Sequence, residues 1–165
     1  MNSRKPPLAG KLVFLLSLLS LLVACSGDPG TGPVDVEFNS DSDTCERCRM
    51  VMSDPHYSAQ IRGGPEGGES RVYRFDDIGC AVIWLDEQPW RDNPAVEIWV
   101  NDHRDGEWIN AREAWYVEGN KTPMAYGLGA RDDPAEGALT FEQARERIYE
   151  MERRFNTHSG HQQGF

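Results

Sequence analysis

Apolar positions along this chain come first as a block, then in alternation, then at helical spacing. Leu12 to Ala24 is almost unbroken hydrocarbon. Residues 25–43 lose all periodicity and are rich in Gly, Pro, Ser and Asp, which reads as a flexible tether. Alternation begins at Tyr57 and predicts a strand over 57–62. The turn G-G-P-E-G-G at 63–68 and the segment R-V-Y-R-F at 71–75 then predict a hairpin. Ile78, Ala81, Val82 and Leu85 fall on one helical face, with Asp76 or Asp77 placed to cap it and Pro89 and Pro94 marking the turn beyond. V-E-I-W-V at 96–100 is a third strand, giving a β-β-α-β unit. Short strands are expected at 107–109 and 115–117, and mostly loop over 119–137. Thr140 and Gln143 form a capping box for a last helix, whose stripe runs Phe141, Ala144, Ile148, Met151, Phe155. Residues 156–165 are polar and read as a disordered tail. The pattern predicts an α+β domain over 44–155.

The opening block changes the picture of where this domain works. Arg4, Lys5 and Lys11 precede an apolar run too short to span a bilayer comfortably, which suits a secretory signal over residues 1–24. The run ends in L-V-A-C, which looks like a bacterial lipobox. That likeness implies cleavage before Cys25 and lipid on its sulfur and new amino terminus. Several acyl chains, at about 0.8 kcal/mol per buried CH₂, anchor stably. Ser26 after the cysteine implies sorting to the outer membrane, facing the periplasm. The whole chain carries a formal charge of −10, and losing the signal removes three basic residues and no acidic ones. Such a surface repels nucleic acid and favours cations or basic partners.

Sulfur is concentrated in T-C-E-R-C-R-M-V-M at 44–52, which holds two of the four cysteines and two of the five methionines. Once Cys25 is lipidated, an odd number of thiols (Cys45, Cys48, Cys80) is left in an oxidising compartment. If the chain is extended from Cys48, then Cys48 and Met50 face the same way, with Met52 next along that face. Thiolate with thioether is a soft donor set that favours Cu(I) over zinc. Cys45, three residues earlier, and Met124, after Pro123, are possible further ligands. A Cys45–Cys48 disulfide is the main alternative. Cys80 reads as an inert buried thiol on the first helix. His56, His103, and the His158 and His161 pair of the tail read as ordinary residues with a minor chance of ligation.

Several phrases together resemble the NosL family of nitrous oxide reductase accessory lipoproteins. They are the lipobox cysteine, C-E-R-C-R-M at 45–50, S-A-Q-I at 58–61, F-D-D-I-G-C at 75–80 and T-P-M-A-Y-G at 122–127. The resemblance implies a fold of two small β-β-α-β-type units, like those of alkylmercury lyase. It also implies a membrane-anchored copper chaperone, not an enzyme. Such a protein delivers Cu(I) for the copper–sulfide centre of nitrous oxide reductase, alongside a periplasmic partner and its ABC transporter. Carried over, the family's C-x-M ligands fall on Cys48 and Met50. This chain has Arg49 where the family usually has glycine. The competing class is a periplasmic thiol-disulfide oxidoreductase using Cys45 and Cys48.

Overall fold

The structure, a computed structural model, describes residues 30–158. The signal segment 1–24, the lipidation site Cys25, and 159–165 of the tail lie outside the described residues. The α+β expectation is met. Strands β1 (Ala59–Gly63), β2 (Arg71–Phe75), β3 (Glu97–Asn101) and β4 (Trp108–Asn110) form one sheet in the order β2-β1-β3-β4, every neighbour antiparallel. Helix α1 (Ile78–Asp86) follows β2 directly. The second half holds β5 (Trp115–Val117) and β6 (Gly129–Arg131), paired antiparallel, and helix α2 (Phe141–His158). Leu139 adds a bridge to Tyr116 just before α2.

One face of the large sheet is apolar because alternate residues point the same way. Ala59 and Ile61 of β1, Ile98 of β3 and Phe75 of β2 are buried. Trp84 of α1 packs on Tyr73 and Phe75 with ring centroids 4.5 and 5.3 Å apart. The helix is buried almost all round, including Gly79, Cys80 and Ile83 beyond the one face its spacing predicts. It lies against the sheet on one side and α2 on the other.

Two expectations need correction. The tether does not run free to residue 43. The Gln60 side chain, fully buried, donates to the Val34 carbonyl at 2.6 Å and accepts from the Val34 amide at 2.9 Å. Arg62 Nε donates to the Gly32 carbonyl, and the Gly32 amide donates to Glu97. Residues 32–34 therefore cross the polar face of the sheet, because a buried glutamine amide must find partners. Residues 119–137 are mostly loop, as expected, and the short strand β6 within them carries no alternation of its own; only pairing with β5 reveals it. Finally, α2 continues to His158, so residues 156–158 are helical. Each residue added to an existing helix gains a backbone bond at little entropic cost, even through Asn156 and Thr157. The capping box forms as expected, with Thr140 N–H on Gln143 Oε1 at 2.9 Å and Gln143 N–H on Thr140 Oγ1 at 3.4 Å.

Candidate metal centre

The cysteine segment is a tight hairpin, not an extended entry into β1. Thr44 and Val51 pair antiparallel. Within that bridge Cys45 N–H donates to the Met50 carbonyl (2.8 Å) and Arg49 N–H to the Cys45 carbonyl (2.9 Å). Closing so short a loop requires a left-handed residue, and Arg49 supplies it at φ +63°. The Arg49 side chain pairs with Glu46 at 3.5 Å, an exposed pair of little energetic weight. Arg49→Gly should therefore leave the fold intact and stabilise it by about 0.5 kcal/mol, the relief of left-handed strain less the greater freedom of glycine when unfolded. A lowered urea midpoint for that variant would contradict this account of the hairpin.

The two methionines that the sequence grouped lie in different surroundings. Met50 is 55% exposed, whereas Met52 is fully buried in the core, so the two do not share an open face. Cys45 is fully buried and Cys48 half-buried. Cys80 joins them: the sulfurs of Cys45, Cys48 and Cys80 all lie within 4.8 Å of one another, and all three are free thiols. The Cys45–Cys48 disulfide is absent. Cys80 was legible only as a buried thiol; its place three residues after the N-cap was the signal, since a first-turn cysteine faces the positive end of a helix.

The other phrases of the sequence converge on this hairpin. Asp76 accepts from Ser53 N–H at 2.6 Å and Ser53 Oγ at 2.8 Å, fixing the segment that leaves the hairpin. Asp77 caps α1 through Gly79 N–H (3.0 Å) and accepts from Thr122 Oγ1 (2.6 Å) and Met124 N–H (3.3 Å). Met124 is thus half-buried in a loop fastened to the helix start. Arg47 donates to Tyr126 Oη at 3.1 Å and to Glu152 at 2.7 Å, and Tyr126 itself donates to Glu152 at 2.6 Å. Arg47, Tyr126 and Glu152 were not foreseen, because their meeting joins the hairpin, a loop and α2. His56 and His103 stand apart from the thiol group, His56 Nδ1 lying 3.2 Å from the His103 carbonyl.

The electrostatics assign one negative charge to three sulfurs. A hydrogen bond from Cys80 pulls the Cys45 thiol down to about 5, against desolvation. The same bond, together with burial, pushes Cys80 well up, and burial raises Cys48. Burial also raises both carboxyls beside the site, Asp77 to about 6 from an ordinary 3.8. Between those two values the folded state binds more protons than the unfolded chain. The contribution of Asp77 is therefore fully present below its unfolded pKa and is lost as pH rises through 6, an effect on the order of 3 kcal/mol. Urea midpoints of wild type and Asp77→Asn should accordingly diverge between pH 4 and 7, with wild type losing more; parallel profiles would refute it.

A metal–thiolate bond of about 2.3 Å, as zinc makes, sets three sulfurs around one ion about 4 Å apart. The observed spacing needs only a small contraction to meet that, and an all-sulfur set is soft. No curated protein matches the chain. The crystal structure of the copper chaperone NosL from Shewanella denitrificans is similar to it, at 19% identity, covering 73% of this chain and 89% of that one with a TM-score of 0.42. The family model for NosL matches residues 35–131, more than half the chain and the whole stretch from the cysteine hairpin to β6, and the protein belongs to the NosL family.

Proposed function

We propose that this protein is a copper metallochaperone that binds Cu(I) and gives it up to a recipient. The observation that carries the reading is the convergence of Cys45, Cys48 and Cys80 within 4.8 Å at a hairpin whose tip is open to solvent. Three soft donors exceed what a structural staple needs, and Cys48 and Met50 at the rim offer access. Cys48 is the indispensable ligand and Met50 the exposed thioether donor. The cargo is the monovalent ion, because thiolate and thioether sulfur favour it. The recipient is nitrous oxide reductase, whose copper–sulfide centre needs the metal, with delivery alongside a periplasmic protein and its ABC transporter. Lipid at Cys25 holds the domain at the outer membrane, facing the periplasm.

A thiol-disulfide oxidoreductase fits the burial less well. An attacking thiol must be both ionised and accessible. Here the low-pKa sulfur, Cys45, is fully buried, and the more accessible Cys48 is shifted upward. Anaerobic titration against a Cu(I) chelator should show one tightly bound ion per chain, transferable to copper-free nitrous oxide reductase with recovery of its activity. No binding above chelator background would end the proposal.

A further inference from the structure

A chaperone must hold its ion firmly and still release it, and the sulfurs here are arranged at two depths. Cys45 and Cys80 have no exposed surface, Cys48 is half-buried, and Met50 is the large apolar side chain most open to solvent among those described. Cys48 belongs to both levels. Resting on the copper-binding reading, we propose that the ion occupies two seats in turn: an outer seat of Cys48 and Met50, and an inner seat of Cys45, Cys48 and Cys80.

The outer seat suits capture and hand-over. Met50 is unbranched, has three rotatable bonds and is more than half exposed, so it can close on an ion at Cys48 or yield its place to a recipient's donor. The inner seat suits retention. Its walls are fixed by secondary structure: Cys80 sits in the first turn of α1, and Cys45 is locked by hydrogen bonds from its own amide and to its carbonyl. Moving inward, Cu⁺ displaces thiol protons to solvent. Counted from the free site, with one thiolate and two thiols, Cu⁺ gives a [Cu(SR)₃]²⁻ group and two protons leave to solvent. No electron moves, and on release the sulfurs take protons back. The added negative charge meets the positive end of α1, where Cys80 sits, and Arg47 of the same hairpin brings a guanidinium. Tyr126 and Glu152 hold that guanidinium in place.

The inner seat predicts a ligand that the C-x-M pattern alone does not. X-ray absorption on the full chain loaded anaerobically with one equivalent of Cu(I) should show three sulfur neighbours. Cys80→Ser should leave two and weaken binding in chelator competition by at least tenfold. Met50→Ala should keep three sulfurs and lose less affinity than Cys80→Ser, but slow transfer to a competing chelator about tenfold. Two sulfurs in the wild-type protein, or wild-type affinity in Cys80→Ser, would overturn the inner seat. The wild-type spectrum decides the matter even if a cysteine variant fails to fold. Unchanged affinity in Cys48→Ala would instead overturn the copper site as a whole.

Discussion

Cys48→Ala should lower the affinity for Cu(I) by at least about a hundredfold, which at 1.4 kcal/mol per tenfold is about 3 kcal/mol. Its thiol is the one cysteine sulfur in the hairpin reachable from solvent while lying within 4.8 Å of both buried thiols. Removing it leaves Cys45 and Cys80 without an entry, and Met50 without a thiolate partner. The fold should survive, because Cys48 only flanks the core and contributes little to it. Chelator competition under anaerobic conditions measures the loss, and circular dichroism of the same sample verifies folding. A folded variant with wild-type affinity would show that the ion binds elsewhere.

The second large effect is structural. A Cβ added at Gly79 would sit 2.3 Å from Cδ2 and 2.4 Å from Cγ of the Tyr126 ring, far inside contact distance. Gly79 lies in the first turn of α1, next to Cys80, so neither the helix nor the ring can yield without moving the site. Gly79→Ala should therefore destabilise the protein by about 3 kcal/mol, the upper range for overpacking. Because Tyr126 holds Arg47, copper affinity should fall with it. Tyr126→Phe keeps the ring and removes only its hydrogen bonds to Arg47 and Glu152, and should cost about 1 kcal/mol. Urea denaturation separates the two; an equal loss in both variants would mean that the ring contact is not what Gly79 serves.

Local elements were readable where periodicity and capping agree. The run R-V-Y-R-F became β2 at the expected residues, Asp77 capped α1, and Thr140 with Gln143 opened α2. Strand β6 and the anchoring of residues 32–34 were not readable. Neither has a pattern of its own; both exist because a distant strand presents backbone or amide partners. The cysteine hairpin was misread for a related reason. Extended spacing puts Met50 and Met52 on one face, but with a left-handed Arg49 inside the Thr44–Val51 bridge Met50 is exposed and Met52 lies in the core.

The sequence by itself determined the elements, the helix caps and the presence of sulfur crowded into one short stretch, because these depend on residues a few positions apart. The tertiary structure alone decided which sulfurs meet. Cys80 lies 35 positions from Cys45 and reaches it only because β2 ends beside the hairpin and α1 starts there. Arg47, Tyr126 and Glu152 meet for the same reason, across three separate segments. Spacing along a chain fixes direction over a turn or two, whereas proximity over longer separations is set by how faces pack, and that is where the third thiol was found.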